Sequence, residues 1–336
     1  MSGELDEVYE RMRRTGPEFD GWLSNHGPMA ADAVLRLGAP VDVHAWLDGY
    51  ADRLEEAPRP RWPIAPGEWR EVLGDPSRLG DWLALFDREL ADRPWADVLV
   101  TWWPRLLPGA LASATHGLIR TGHAVRALRE EETAPRRGEL AQALGYWAAR
   151  WLPAPGAPRP DGDRRPGPAL DGLPVLDGAG GVRTRLAALG ERPDWGPALR
   201  ALTVAPDPDD VPAALTELVD AAVERYGRWA TGSPVMLVHA ATAPRAAALV
   251  LPSLPRELWP GTYEVAWTTA AAITAAYRGP RPLPDPPVRV SVGELVDRAA
   301  AHGDEHVLKF AEVAVEAAGR GLPTAVGAGL RAVALV

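Results

Sequence analysis

The pattern that most constrains this chain is a helical spacing of apolar residues that runs along most of its length. Apolar side chains recur at intervals of three and four residues, which is typical of amphipathic helices packed around a core. The only candidate for an alternating strand run is residues 288–292, and Val292 could equally begin the helix that follows. The sequence therefore predicts an all-α, multi-helical bundle with essentially no sheet. The predicted helices cover residues 28–37, 43–54, 79–90, 96–107, 110–129, 137–151, 211–226, 235–251, 258–277, 292–301, 304–318 and 324–335.

Proline and glycine interrupt this pattern over residues 153–181, which we predict to be a long irregular connection. No repeat of fixed period is visible, and this disfavours a solenoid. A chain of 336 residues can form one large domain or two ordinary ones. The connection therefore either separates two domains or forms a surface loop of one bundle.

Charge and cysteine content exclude several classes of function. The net charge of −9 makes nucleic acid and anionic membranes improbable partners. The chain has no cysteine, so disulfides and thiolate metal sites are excluded, and a reducing cytoplasm is the expected location. The N-terminus lacks the pattern of a signal peptide, and the weakly polar run at residues 265–277 is too short to span a bilayer. Any metal must be held by histidine nitrogen and by oxygen.

A single lysine, Lys309, stands among arginines in this chain and follows His306 by three residues on a predicted helix. The two side chains therefore share a helical face. Lysine can lose its proton when it is buried, whereas arginine stays charged, so Lys309 suits a role that requires a neutral amine. Such roles include attack on a carbonyl or on CO2, and metal binding through a carbamate oxygen. The alternative is that codon bias favours arginine over lysine throughout the chain and that Lys309 has no special role.

The seven histidines form neither a His-x-His nor a His-Glu-x-x-His pattern, so local spacing gives no zinc signature. His116 and His123 lie on one stripe of a predicted helix, about 10 Å apart along its axis, with Arg120 between them. Arg120 either holds an anionic substrate oxygen or forms a salt bridge with an acid. His239 lies in an apolar helix, where a metal or a hydrogen-bond partner must satisfy its ring. Thr242, one turn later, either bonds bound oxygen or caps the helix backbone.

Several short motifs, taken in order, resemble the questin oxidase-like family. They extend over nearly the whole chain, and their order is more specific than any one of them. The matching segments are Asn25-His26-Gly27-Pro28-Met29, Trp103-Pro104-Arg105-Leu106-Leu107-Pro108-Gly109, His116-Gly117-Leu118-Ile119-Arg120-Thr121-Gly122-His123-Ala124, Leu144-Gly145-Tyr146-Trp147, His239-Ala240-Ala241-Thr242-Ala243-Pro244, and Asp304-Glu305-His306-Val307-Leu308-Lys309.

The resemblance implies a single helical domain over residues 1–336 and an oxygenase of secondary metabolism. Such an enzyme oxidises or cleaves aromatic polyketides of the anthraquinone type at a mononuclear non-heme iron. The resemblance implies Fe(II), with O2 as co-substrate, and a small aromatic substrate. One departure concerns Arg120, which stands where fungal relatives carry a second histidine; His123 either replaces that histidine or shapes a different pocket. The metal ligands that the resemblance implies are His26, His116, His239, His306 and a carboxylated Lys309. From their positions beside these ligands in the sequence, we predict catalytic roles for Arg120, His123 and Thr242.

Two other functional classes remain open from the residues themselves. A metal-dependent hydrolase with a carbamylated lysine would require paired metals, and a helical interaction module would leave its histidines scattered. No glycine fingerprint for a dinucleotide is present, so a requirement for NADPH or flavin would need a partner or a nonstandard site. The discriminating observation is whether the side chains of His116, His239, His306 and Lys309 converge.

Overall fold

The computed structural model describes residues 2–176, 180–204, 207–284 and 290–336, and within them the fold is all-α, as predicted. One two-residue antiparallel hairpin is present, β1 (Glu18–Phe19) paired with β2 (Leu23–Ser24). The helices are α1 (Ser2–Arg13), α2 (Gly27–Leu37), α3 (Val43–Ala51), α4 (Leu79–Asp92), α5 (Trp95–Leu106), α6 (His116–Glu130), α7 (Ala134–Arg150), α8 (Pro166–Asp171), α9 (Val182–Gly190), α10 (Trp195–Arg200), α11 (Val211–Trp229), α12 (Pro234–Leu237), α13 (His239–Val250), α14 (Trp259–Tyr277), α15 (Val292–His302), α16 (Glu305–Gly319) and α17 (Ala325–Leu335).

Helix boundaries follow the residues that can start and stop a helix. Pro28 occupies the first turn of α2, and Gly38 ends that helix in the left-handed conformation with φ of 57°. Asp304 caps α16, where its carboxylate accepts hydrogen bonds from the backbone N–H groups of His306 and Val307. These signals are local, and for that reason the sequence locates such ends well.

Two predicted helices are interrupted where the sequence pattern gave no warning. The predicted helix over 110–129 begins only at His116, because residues 111–115 form a turn instead. The predicted helix over 235–251 breaks at Val238 into α12 and α13. In both cases the break falls immediately before a histidine.

Several elements escaped the sequence prediction. Helix α1, the hairpin, and helices α9 and α10 were not predicted. The connection over 153–181 contains the short helix α8, and its backbone also pairs with residues 202 and 203 through isolated bridges, while residues 177–179 lie outside the described part. The candidate strand over 288–292 falls partly on residues 285–289, which are also outside it, and Val292 begins α15.

Two large apolar cores meet at α13. One core is formed mainly by α8–α11, α14, α16 and α17, and it includes Ala240 and Ala247 of α13. The other is formed by α4–α7, and it includes Ala243 and Ala246 of α13. Helix α13 packs directly against α6, α11 and α14. Because α13 packs in both cores, both of them fix the position of its first residue, His239.

One apolar stretch, Pro234–Ser253, has the length and composition that would allow a helix to cross a membrane. In this fold 72% of that window is buried against other helices. A core helix passes the same test, and the stretch corresponds to the central α12–α13 segment.

The crossing of α6 and α13 depends on a glycine. A Cβ placed on Gly122 would lie 2.7 Å from Ala246 Cβ and 2.9 Å from the Ala246 carbonyl oxygen. We therefore expect Gly122→Ala to lower the free energy of unfolding by about 1–3 kcal/mol, because the two helices must move apart. Gly49, in the interior of α3, has no atom within 4 Å of the corresponding position. Gly49→Ala should instead raise stability by about 0.5–1 kcal/mol, since alanine is the better helix former. Denaturant unfolding of both variants measures this, and an equal change in the two would contradict the packing argument.

Candidate metal centre

Four imidazole rings meet in the interior of the protein, each at or near the start of a helix. His26 is the N-cap of α2, His116 and His239 are the first residues of α6 and α13, and His306 is the second residue of α16. Ring centroids are separated by 4.5 Å for His26 and His116, 4.6 Å for His26 and His306, and 4.6 Å for His116 and His239. The rings of His239 and His306 are 5.5 Å apart. Four segments that are remote in sequence thus bring their histidines to one place.

Backbone carbonyl groups fix the orientation of three of these rings. The Nδ1 atoms of His26, His116 and His239 lie 2.6, 2.5 and 3.0 Å from the carbonyl oxygens of residues 24, 113 and 236. A carbonyl oxygen can only accept, so each Nδ1 carries the proton and donates it. Each Nε2 is then left as a lone pair, the form in which imidazole binds a metal.

Two of the Nε2 atoms, those of His116 and His239, are 3.0 Å apart, which is the spacing of two ligands of one ion. Two nitrogens bound to one ion at about 2.1 Å and at right angles are separated by about 3.0 Å. The Nε2 of His26 is buried and has no hydrogen-bond partner in the described part of the chain. Ligand atoms of His26, His116 and His306 all lie within 4.8 Å of one another. A cation at this point would satisfy lone pairs that otherwise face each other.

The same surroundings keep the imidazoles neutral. Burial lowers the pKa of His26, His116 and His239 well below the usual value, and the other histidines and Lys309 lower it further. Burial also lowers the pKa of His306, although Asp304 opposes this. Neutral rings are the state that a divalent cation requires of its ligands.

Lys309 lies one turn after His306 on α16, and its charge lowers the pKa of all four rings. Its side chain is only 2% exposed, and its Nζ forms no hydrogen bond with any described residue. Burial lowers the pKa of the Lys309 amine to about 8, against the opposing effect of Glu305 and Asp304. Part of the amine is therefore unprotonated near neutral pH, as attack on CO2 requires.

Arg120 and Thr242 make contacts of another kind. The fully buried Arg120 donates from Nε and Nη2 to the two carboxylate oxygens of Glu139 at 2.5 and 2.7 Å, and from Nη2 to Gln142 at 3.1 Å. The Thr242 hydroxyl donates to the carbonyl of Val238 at 3.2 Å. These partners correspond to the salt bridge and the backbone bond that the sequence left open as alternatives.

His123 belongs to a buried network of charges that is separate from the four-histidine cluster. Its Nδ1 lies 2.7 Å from Asp32 Oδ2, and Arg126 donates to the same carboxylate oxygen. Arg126 also donates to Glu312 at 2.5 Å, and Arg245 donates to Glu312 at 2.7 Å. Asp32, Arg126, Arg245 and Glu312 lie on α2, α6, α13 and α16 respectively. The network therefore joins the same four helices that carry the histidines.

Sequence reasoning missed a second set of residues that supports the cluster. The Tyr50 hydroxyl accepts a hydrogen bond from the backbone N–H of His26 at 2.6 Å, and Trp46 Nε1 donates to the carbonyl of Gly303 at 2.8 Å. Their rings stack with centroids 5.1 Å apart. Arg53 lies 3.6 Å from Glu305, whose carboxylate is 3.9 Å from His26 Nδ1. The spacing of Trp46, Tyr50 and Arg53 along one helical face was the available signal.

No family model matches the chain, and no curated protein is significantly similar to it.

The ion network makes the fold sensitive to acid. Arg245 and Arg126 hold the pKa of Glu312 at about 2, against the opposing effect of burial, and Arg126 and His123 hold the pKa of Asp32 well below its usual range. A carboxylate whose pKa is lowered by folding stabilises the protein above its unfolded pKa of about 4, and this contribution disappears as the pH falls toward the folded value. We therefore expect the free energy of unfolding to decline steeply below pH about 4.

The matched variants are Glu312→Gln and Glu294→Gln, the latter in an exposed pair with Arg298. Glu312→Gln should cost about 3–5 kcal/mol at neutral pH, because it removes the buried carboxylate that Arg126 and Arg245 share, and its deficit should shrink in acid. Glu294→Gln should follow the wild-type pH curve. Denaturant titrations from neutral to acid pH measure this, and parallel curves for Glu312→Gln and wild type would show that the network does not govern acid stability.

Proposed function

We propose that the protein is an oxidoreductase that holds one Fe(II) ion on His26, His116, His239 and His306, with carboxylated Lys309 as the anionic ligand. It would use O2 to oxidise or cleave an aromatic, polyketide-like intermediate of secondary metabolism. The observation that carries the metal proposal is the convergence of four imidazoles near the single lysine. Three of them are buried with Nδ1 fixed by backbone, and the fourth, that of His306, is partly buried. The ordered motifs that resemble the questin oxidase-like family supply the reaction and substrate class.

The donor set fits a borderline divalent cation. Imidazole nitrogens suit iron, zinc and copper, and one anionic oxygen lowers the net charge of the loaded centre. An uncarboxylated Lys309 ammonium about 4 Å from a divalent ion would be repelled by several kcal/mol even at an effective dielectric of about 20. The amine must therefore be neutral or modified when the ion is bound.

Carboxylation of Lys309 satisfies this requirement. The ammonium first loses one proton, and the neutral Nζ then attacks CO2, so that a C–N bond forms while one C=O π bond opens. A second proton leaves Nζ to solvent, and the cationic side chain thereby becomes an anionic carbamate. The carbamate is longer than a glutamate side chain and ends in two oxygens. It would replace the missing hydrogen bonds of Nζ with a metal contact.

The protein residues contribute orientation and exclusion of water. Backbone carbonyls hold the ring protons of His26, His116 and His239 on Nδ1, so proton exchange at the ligand nitrogens is prevented. Bound ferrous iron would supply one-electron reduction of O2. An electron-rich phenol or hydroquinone substrate would be the reductant, since the sequence carries no nucleotide fingerprint. Absence of cysteine supports a cytoplasmic setting for this chemistry.

A second candidate function is a hydrolase with two metal ions. It is favoured by a second group of ligand atoms, from Asp304, Glu305 and His306, that shares His306 with the first. Metal stoichiometry separates the candidates, because the oxygenase requires one ion per chain and the hydrolase requires two.

We expect anaerobically purified protein to bind Fe(II) at one equivalent per chain, and His239→Ala to weaken binding by about tenfold or more, because one of four nitrogen ligands is lost. The matched control is His302→Ala, which removes an exposed histidine. Elemental analysis and equilibrium titration measure both. Two equivalents of zinc would favour the hydrolase, and no specific binding of any divalent ion would end the metal proposal.

Incubation of the loaded protein with aromatic polyketides under labelled O2 then tests for incorporation of oxygen.

The carboxylated lysine has its own test. In labelled bicarbonate, wild-type protein loaded with metal should show a carbamate carbon resonance by carbon-13 NMR, and Lys309→Met should lack it. Addition of a short carboxylic acid should restore part of the metal affinity to Lys309→Ala, since a free carboxylate can occupy the space of the carbamate. A Lys309→Met variant that binds metal as tightly as wild type would contradict the ligand role of this residue.

A further inference from the structure

An unusual backbone turn immediately precedes His116. Ser113, Ala114 and Thr115 have φ values of 45°, 54° and 77°, so three successive residues with side chains adopt the left-handed conformation. L-residues avoid this region because Cβ crowds the backbone, and only glycine adopts it readily. A β-branched residue such as Thr115 is a clear outlier there. The turn is buried, with Thr115 fully inaccessible to solvent.

Local interactions do not explain this turn. Threonine before a helix ordinarily has extended backbone, and its hydroxyl accepts a hydrogen bond from the first turn of the helix. Thr115 occupies that position in front of α6, yet it makes no capping bond, and its hydroxyl has no partner among the described residues. The segment therefore has neither a favourable backbone conformation nor a side-chain cap for α6. Something outside the turn must maintain it.

The structural consequence of the turn is the position of one carbonyl group. The chain reverses so that the Ser113 carbonyl oxygen lies 2.5 Å from Nδ1 of His116, three residues later. That bond directs His116 Nε2 to a point 3.0 Å from Nε2 of His239. The other two carbonyl contacts need no such distortion, since residues 24 and 236 have no positive φ. Among the described ligands, strain is confined to the segment that orients His116.

We propose that the turn over 113–115 is a positioning device, in which backbone strain holds His116 in its metal-binding orientation at a cost in stability of the metal-free protein. The inference rests on the proposed metal centre and adds to it a site where stability and metal affinity oppose each other. Ala114 is the informative residue, because Ala114→Gly removes only a methyl group at a left-handed position, whereas a change at Ser113 or Thr115 would also remove a hydroxyl. A glycine there relieves the strain and also loosens the hold on the Ser113 carbonyl.

The test compares two identical substitutions four residues apart, Ala114→Gly and Ala110→Gly. Ala110 is equally buried but has an ordinary φ of −63°. We expect Ala114→Gly to raise the thermal midpoint of the metal-free protein by about 1–3 °C and to weaken Co(II) affinity by about tenfold. Ala110→Gly should lower the midpoint and leave Co(II) affinity unchanged. The visible absorption of bound Co(II), which reports ligand geometry, should change only in Ala114→Gly.

A double-mutant cycle shows whether the turn acts through His116. In a His116→Ala background, Ala114→Gly should still raise the midpoint but should no longer alter Co(II) affinity. If Ala114→Gly lowers the midpoint, or leaves Co(II) affinity at the wild-type value, the positioning role is wrong while the metal centre stands. If wild-type protein binds neither Co(II) nor Fe(II), the metal proposal itself fails, and the two failures are thereby distinguished.

Discussion

The structure depends on one geometric constraint, which is that four chain segments bring helix starts to a common point. Helices α2, α6 and α16 begin there, and α13 begins there after its break from α12. The positive end of a helix disfavours a protonated imidazole and favours an anion. Neutral rings and a negatively charged group are therefore the stable occupants of this space. The carbonyl groups that receive the ring protons belong to residues 24, 113 and 236, two or three positions before the histidines that donate to them.

Two further contacts keep these helices in register. The close approach of Gly122 to Ala246 sets the separation of α6 and α13, and hence that of His116 and His239. Beyond the histidines, the network of Asp32, Arg126, Arg245 and Glu312 joins all four helices through buried charged hydrogen bonds. A buried ion network contributes little net stability compared with apolar packing, but it penalises any other register because each displaced charge would lack a partner. We interpret the network as the element that fixes one arrangement of the four helices.

Sequence reasoning located most of the long helices, but it missed helices α1, α9 and α10 and the breaks before α6 and α13. Pro28, Gly38 and Asp304 act on adjacent backbone, so the ends they mark could be predicted. The convergence of the histidines was predicted only through motif resemblance, because spacing along one helix says nothing of which helices meet. Spacing along the helix also grouped His123 with His116, whereas in the fold His123 forms a hydrogen bond with Asp32. The turn over 113–115 was invisible, since no glycine marks its positive φ values.

The charge balance around Lys309 explains why a carboxylated lysine suits this centre better than any carboxylate already present. Asp304 is committed to the cap of α16, and Glu305 lies between Arg53 and His26. Glu312 accepts from two arginines, so moving it toward the cluster would remove one counter-charge from each of two buried cations. Four neutral imidazoles would leave the full double charge of an ion in a buried site. The Nζ of Lys309 has no hydrogen-bond partner among the described residues, and in the proposed centre carboxylation would convert it from a charge that repels the ion to one that binds it. An arginine at position 309 would stay cationic, so the proposed role would account for the one lysine in a chain that otherwise uses arginine.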